Sequence, residues 1–288
     1  LIGILLPALA RARANAKLLP APKQVTDIST SLAGWSNELH NTTPPPGLLK
    51  RHQAFMNDPG ETARYVPNRG PEDANWNDHG SLMSACIMHG LFTPEQAVSP
   101  TEYSDAVFRY DEYDFSDYRP YISDDEPGVF WDETFQNDLE GDGATSWANN
   151  SYAIMPIAGE RKLRHWTKPS NDSDFAFIGT RGARDGDTAL LDPRNTNATR
   201  TVQFHGKPDE WVGLIVFGDG HASEFRTFMP EHLRFWEDNG GERVGRPDNL
   251  FEAQAQPRNS HTFGSDLNLG YDSFLTHVDE VTGASAAN

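Results

Sequence analysis

A helical repeat of apolar residues near the N-terminus is the feature that most limits how this chain can fold. Five apolar residues follow one another at steps of three or four positions, which places their side chains on one face of an α-helix. They are Val25, Ile28, Leu32, Trp35 and Leu39. An apolar helix face is stable only when a sheet or other helices cover it. Residues 40–47 include three consecutive prolines and predict the end of this helix.

The first ten residues are all apolar, and Arg11, Arg13 and Lys17 follow them. A helix needs about 20 apolar residues to span a bilayer, so this segment has the pattern of the second half of a membrane helix, and we expect roughly ten further apolar residues before it. In a signal peptide the charges precede the apolar run, so the order found here argues against a signal peptide. The alternative interpretation is the start of a buried amphipathic helix.

Residues 8–18 are rich in Ala, Arg and Leu, which favour helix. Pro20 and Pro22 should interrupt this helix, because proline lacks the backbone donor and clashes with the preceding turn. We therefore predict a long, kinked N-terminal helix over residues 1–39, followed by a globular head over residues 40–288.

The strongest strand signal lies between Trp211 and Phe228. Two β-rich runs flank Asp219-Gly220, a pair typical of the type I′ hairpin turn, which needs positive φ at both central residues. Both faces of the first strand are apolar, which predicts a central or doubly covered strand. Val212, Leu214 and Val216 share one face, and Ile215 and Phe217 share the other. Asp219, Gly220 and His221 could also be interpreted as part of a metal or catalytic site, and the turn is the favoured interpretation.

The remaining elements follow from shorter patterns. Residues 57–80 read as loop, and residues 81–92 predict a short buried helix that Gly90 ends, with Cys86 as a core residue. Apolar runs at 151–157, 174–178 and 188–191 predict strands, and residues 229–288 predict an irregular surface tail. The sequence thus predicts an α+β fold: a long kinked N-terminal helix packed on an antiparallel sheet, with large irregular insertions.

Residues 102–142, named here the acidic block, carry fourteen acidic residues opposed only by Arg109 and Arg119. Aromatic residues are interleaved with these acids, and nine of them mark the pattern. They are Tyr103, Phe108, Tyr110, Tyr113, Phe115, Tyr118, Tyr121, Phe130 and Trp131. A disordered acidic tail would lack aromatic residues. We therefore expect the carboxylates to face solvent and the aromatic side chains to pack inward.

Charge and cysteine content exclude several classes of protein. The formal net charge is −18, which argues against a nucleic-acid partner and against docking on anionic lipid. The single cysteine excludes an intrachain disulfide and a Cys-cluster zinc site. No Gly-x-Ser-x-Gly, Walker, dinucleotide-binding or His-Glu-x-x-His motif occurs, so the sequence predicts that the protein is not an enzyme.

One segment of the acidic block partly matches a calcium-binding loop. Asp138, Glu140 and Asp142 supply carboxylates at alternate positions, and Gly143 follows them. An EF-hand loop would need Glu where this chain has Asn149. A calcium site and a solvated acidic turn both remain open, and no other cofactor is expected.

Several short motifs resemble those of one protein family. They are the opening Leu1–Arg13, Glu95–Pro100, Ser151-Tyr152-Ala153, Leu190-Leu191-Asp192, and His205 followed by Phe217–His221. This set resembles the type IV pilin-like pseudopilins of planctomycete-type bacteria, in which cysteine often stands at the position of Ser99. Thirteen residues separate His205 from Asp219, more than in the usual family pattern, which suggests a longer entry into the hairpin.

The resemblance implies a structural subunit of a type IV pilus-like or pseudopilus-like extracellular filament. Its partners would be identical subunits in a helical filament, after a stage in the inner membrane. The assembly residues would be Leu1, Ile2, Ile4, Leu5, Leu6 and Leu9. Two alternatives remain: a secreted or membrane-anchored carbohydrate-active or calcium-dependent enzyme, and an acidic surface binding module.

Overall fold

A four-stranded antiparallel sheet forms the centre of the described structure. The computed structural model describes residues 20–38, 43, 45–56, 64–139, 147–158, 162, 166, 173, 175–183, 186–192, 194–195, 211–239 and 242–251. The sheet has the order β3 (Tyr152–Ile154), β4 (Ala176–Thr180), β5 (Gly213–Phe217), β6 (Ala222–Phe225). All neighbouring strands are antiparallel, so the chain has the predicted α+β composition.

Strand β5 lies inside the sheet, as its two apolar faces predicted. Ile215, Val216 and Phe217 are almost completely buried, and Leu214 is half-buried. Gly179 on β4 permits this close packing, because a Cβ atom there would lie 2.5 Å from the Cδ1 atom of Ile215. The central position of β5 is therefore confirmed.

The hairpin is confirmed, but its turn is not the predicted type I′. The N–H of Phe217 donates to the carbonyl of His221 (2.9 Å), and the N–H of Gly220 donates to the carbonyl of Phe217 (2.9 Å). In this turn only Gly220 has positive φ, at +85°. The connection is a three-residue loop in which a type I turn is followed by a left-handed glycine. Asp219 keeps negative φ, and its carboxylate accepts the N–H of His221 at 3.0 Å.

Helix α1 (Pro20–Glu38) packs against β4 and β5. Val25, Ile28, Leu32 and Trp35 on its predicted apolar face are buried. Pro20 begins the helix and Pro22 lies in its first turn, where the missing N–H costs no intrahelical hydrogen bond. The predicted extension of the helix before Pro20, and Leu39, lie outside the described residues.

Helix α2 (Pro46–Leu49) leads through β1 (His52–Phe55) and β2 (Arg64–Pro67), which pair with each other, to α3 (His79–Met88). Strand β2 and a 3₁₀ turn at Ala74–Trp76 lie in the segment that was predicted to be loop. Asp78 caps α3 by accepting the N–H of Ser81 at 2.7 Å.

The C-terminal end of α3 follows the glycine prediction. Gly90 has a φ of +73°, and its N–H donates to the carbonyl of Ile87. The N–H of Leu91 donates to the carbonyl of Cys86, which completes a Schellman motif. The helix spans His79–Met88 rather than 81–92, because Asp78 caps it two residues earlier than predicted.

The rest of the chain adds short elements and one unexpected hairpin. These are α4 (Pro94–Ala97), 3₁₀ turns at Phe115–Asp117 and Thr188–Leu191, β7 (Arg234–Asn239) and β8 (Glu242–Pro247). The apolar run 188–191 is therefore not a strand. The paired strands β7 and β8 correct the prediction of an irregular tail over residues 234–247.

Most of the buried apolar residues form one cluster between α1, α3 and the sheet. A smaller cluster contains Ala85, Phe130 and Trp131, with Leu49 and Trp76 packed against it. The second cluster lies where the acidic block meets α3.

Candidate functional site

Two of the motif segments meet in one buried polar site. The N–H of Ser99 donates to Oγ of Ser151 at 3.0 Å, and the N–H of Ser151 donates to the carbonyl of Ala97 at 3.0 Å. Ser99 and Ser151 are both buried. The runs 95–100 and 151–153, which are distant in sequence, are therefore held together by reciprocal backbone and hydroxyl contacts.

A buried ion pair completes this site. Arg181 binds Glu102 in a bidentate arrangement, with Nη1–Oε2 at 2.6 Å and Nη2–Oε1 at 2.7 Å. Glu102 also accepts the hydroxyl of Ser151 at 2.7 Å and the N–H groups of Tyr103 and Ser104 at 2.9 Å. The two charged side chains are 9% and 6% exposed. Burial of such a pair is tolerated only when nearly all its polar atoms are satisfied, as they are for Glu102.

Tyr152 connects this site to the N-terminal helix. Its hydroxyl donates to Oε1 of Gln24 at 3.1 Å, and Gln24 Nε2 donates to the carbonyl of Glu95 at 3.5 Å. Burial raises the pKa of Tyr152 well above its usual range, so the hydroxyl stays protonated as a donor. Tyr152 therefore links α1 to the head, whereas Ser151 links β3 to the segment 97–102.

The sequence analysis missed the two charged members of this site. Glu102 was counted among the solvent-facing acids, and Arg181 carried no motif. The two residues are 79 positions apart, and neither lies in a periodic pattern. The available signal was the proximity of Arg181 to the strand run at 174–178, which is too weak to pair it with one acid among forty-two.

The Asp219-Gly220-His221 tip is a surface turn. His221 Nδ1 lies 2.6 Å from Asp219 Oδ1, and the His221 ring stacks on Phe217 with ring centroids 4.5 Å apart. Hydrogen bonding from the N–H of His221 lowers the pKa of Asp219. The contacts at this tip stabilise the turn. His205 lies outside the described residues, so its pairing with His221 stays a prediction.

The structure describes only one of the three residues of the predicted calcium site. Asp138 is half-buried, and its N–H donates to the carbonyl of Trp147 at 3.0 Å. Glu140 and Asp142 lie outside the described residues. Among the residues that are described, no group of three His, Cys, Asp or Glu side chains could hold a metal ion. Calcium binding by residues 138–142 stays a prediction.

Cys86 is a buried core residue, as predicted. Burial raises the pKa of its thiol far above the usual range, which removes the thiolate needed for nucleophilic chemistry.

The expectation that the aromatic side chains of the acidic block pack inward was wrong for five of them. Tyr113, Phe130 and Trp131 pack inward and Tyr110 is half-buried, but five aromatic side chains of the block are exposed. These are Tyr103, Phe108, Phe115, Tyr118 and Tyr121. The segment consists mainly of short turns in which a side chain accepts a hydrogen bond from a nearby backbone N–H, as Asp114 does from Ser116. Strands would instead place alternate residues on a buried face.

Most carboxylates of the acidic block face solvent, as expected. Eight of those described are exposed: Asp105, Asp111, Glu112, Asp114, Asp124, Asp125, Glu126 and Glu133. The two arginines of the block pair within it, Arg109 with Asp111 and Arg119 with Asp117. The block therefore presents exposed aromatic rings among exposed carboxylates.

The apolar assembly residues Leu1, Ile2, Ile4, Leu5, Leu6 and Leu9 lie outside the described residues. No helix in the described part of the chain is long and apolar enough to cross a membrane. Comparison of the chain with protein-family models, with curated proteins and with solved structures found no match. The resemblance to pilin-like proteins therefore depends on the motifs given above.

Proposed function

We propose that this protein is a structural subunit of a type IV pilus-like or pseudopilus-like filament outside the cell. Identical subunits would assemble through a long, kinked N-terminal helix that includes Leu1–Leu9 and α1. The observation that carries the proposal is the packing of α1, whose apolar face lies against β4 and β5 of an antiparallel sheet.

The argument depends on how apolar surface is distributed along the N-terminal part of the chain. Val25, Ile28, Leu32 and Trp35 are already buried by the head. Leu1–Leu9, which precedes α1 in the sequence, is also apolar. It therefore needs contacts that exclude water in addition to those that α1 makes with the head. Burial against the same segment of neighbouring chains would stabilise the polymer by about 25 cal/mol per Å² of apolar surface.

The basic residues after this segment fit the same arrangement. Arg11, Arg13 and Lys17 precede the first acidic residue of the chain, Asp27. In a filament they would lie just outside the apolar core, where the exposed carboxylates of a neighbouring acidic block would oppose them. Head-to-tail contacts of this kind generate an open helical polymer when their rotation does not close. The subunit would reside in the inner membrane before assembly.

The test is deletion of residues 1–10, followed by negative-stain electron microscopy of the purified protein. The full chain should form filaments and the deletion variant should remain a folded monomer. A matched control deletes the last ten residues, 279–288, and should assemble like the full chain. Normal filaments from the variant that lacks residues 1–10 would refute the proposal.

A second candidate, an acidic surface binding module, is favoured by the exposed aromatic rings of the acidic block. A ring beside a carboxylate suits a guanidinium, which stacks on the ring and pairs with the charge. The occupant would be an arginine-rich peptide segment. A monomeric protein that binds hexa-arginine, with affinity that falls steeply with salt, would favour this function over filament assembly.

A further inference from the structure

A buried lysine lies beside two neighbouring tryptophan rings at the base of the acidic block. Lys50, directly after α2, is 5% exposed. Its Nζ atom lies 3.3 Å from the ring centroid of Trp76 and 5.7 Å from that of Trp131. The same atom contacts Oε1 of Glu133, which is 83 residues away along the chain. The amine of Lys50 and the carboxylate of Glu133 are therefore in direct contact, and the two tryptophan rings lie against the lysine.

The surroundings disfavour the charged form of this lysine. Burial lowers the pKa of Lys50, although Glu133, Asp73 and Asp78 oppose that shift. Asp78, at the start of α3, is half-buried, and desolvation raises its pKa to about 6. The neutral amine is therefore reached more easily here than on a surface lysine, and neutral amines are nucleophiles.

We propose that Lys50 and Glu133 condense to form an isopeptide bond that cross-links the head. The reaction begins with proton transfer from the Lys50 ammonium to the Glu133 carboxylate, which gives a neutral amine and a neutral carboxylic acid. Nζ then attacks Cδ of Glu133, and the N–C bond forms. The C–OH bond breaks, and the hydroxyl leaves with one proton from Nζ as water. No oxidant, reductant or other reactant is consumed.

Two physical effects favour the amide over the ion pair. The reacting groups are held in contact by the fold, and effective molarities of well-oriented intramolecular reactions reach about 10⁵–10⁸ M. The reaction also replaces a buried charge with a neutral group, which removes the desolvation cost of the ammonium. The Glu133 side chain is 36% exposed, so the water that is released can leave.

The position of the bond gives it a mechanical consequence. It would close a loop of the chain from Lys50 to Glu133 that contains β1, β2, α3, α4 and most of the acidic block. The chain has one cysteine and cannot form an intrachain disulfide, so this bond would be the covalent cross-link that stabilises the head. Closing a long loop restricts the unfolded chain and stabilises the folded one.

The full chain can be tested by intact mass spectrometry under denaturing conditions. We expect its mass to be lower than the sequence mass by one water molecule, and tandem spectra of a tryptic digest should contain a branched peptide that joins Lys50 to Glu133. The Lys50→Arg variant keeps a positive charge but cannot form the amide, and it should show its full sequence mass.

Two other pairs serve as internal controls. Lys162 contacts Glu72 at 2.6 Å, and Lys23 pairs with Asp27 at the surface. Neither should yield a branched peptide. A wild-type chain at its full sequence mass would overturn the proposal, as would a water loss that maps to one of these pairs or persists in Lys50→Arg. Filament formation does not enter this measurement, so its outcome is independent of the proposed function.

Discussion

The hairpin of β5 and β6 and the acidic block are both rich in aromatic residues, yet they bury them differently. Phe217 in the hairpin is 1% exposed, whereas Phe115 in the acidic block is 59% exposed. Strand β5 has neighbours on both edges and apolar side chains on both faces. Residues 103–126 are held mainly by short turns and isolated bridges, which leave one side of the chain open to water. Regular strand pairing, rather than aromatic content, decides which rings are covered.

The acidic block is joined to the sheet by the pair of Glu102 with Arg181, which directly follows β4, and the largest mutational effect is expected there. Replacing Arg181→Ala leaves the Glu102 carboxylate buried without its counter-charge. Breaking a buried pair in this way costs about 3–5 kcal/mol of unfolding free energy. Urea unfolding at neutral pH measures the loss.

The matched control is Arg119→Ala, which breaks the solvent-exposed pair with Asp117 inside the acidic block. Exposed pairs contribute about 0–1 kcal/mol, so this variant should unfold nearly as the wild type does. Equal losses in the two variants would mean that Glu102 is as well solvated as the surface acids.

A pH prediction separates a buried carboxylate from the exposed ones. Burial raises the pKa of Asp78 from 3.8 to about 6 in the folded protein. The folded state therefore binds more protons than the unfolded state between about pH 4 and pH 6, and stability falls as the pH rises through this window. The difference between these two pKa values corresponds to about 3 kcal/mol.

The variant Asp78→Asn keeps an N-cap side chain but does not titrate. Its unfolding free energy relative to wild type should rise by about 3 kcal/mol from pH 4 to pH 7. The control Asp114→Asn concerns an exposed cap whose pKa is lowered by hydrogen bonds from Ser116. Its difference from wild type should stay nearly flat over this range, because a carboxyl with a lowered pKa is already ionised in both states above about pH 4 and loses its contribution only at lower pH. A flat Asp78→Asn profile would contradict the burial of that carboxyl.

The hairpin turn gives a smaller, purely conformational effect. Gly220 has a φ of +85°, and a Cβ atom there would meet nothing within 4 Å. Gly220→Val should therefore cost only the strain of a left-handed residue, about 1–2 kcal/mol, seen as a lower thermal midpoint. Gly220→Asn should cost less, because asparagine tolerates positive φ. Unchanged stability in the valine variant would argue against the turn.

The elements that were predicted correctly are those set by local patterns. The face of α1, the central position of β5 and the glycine end of α3 each depend on residues within one helix or hairpin. The turn type was wrong because the Asp219 side chain binds the N–H of His221, which lets a one-residue longer loop replace the type I′ turn. The β7–β8 hairpin was missed although Gly240-Gly241, between its strands, is a recognised turn signal.

The polar sites could not be predicted because they join distant residues. Arg181 and Glu102 are 79 positions apart, and Lys50 and Glu133 are 83 positions apart. Among forty-two acids, no periodic pattern marks the ones that are buried with a partner. The motif resemblance singled out Ser151 and Tyr152, but it did not indicate the buried charges of Glu102 and Arg181 beside them.

The smallest expected effect tests the exposed half of the comparison. Phe115→Ser and Phe108→Ser should each change the free energy of unfolding by no more than about 0.5 kcal/mol, because surface side chains contribute little to folding. Phe130→Ala, in the same block but 5% exposed, should cost about 3–5 kcal/mol. Equilibrium urea unfolding of the three variants makes the comparison within one segment, so composition and charge are held nearly constant. Large losses for Phe115 and Phe108 would mean that their rings are covered in solution and that the aromatic residues pack inward, as the sequence predicted. Small losses would leave these rings free to contact a cationic segment, as the binding-module candidate requires.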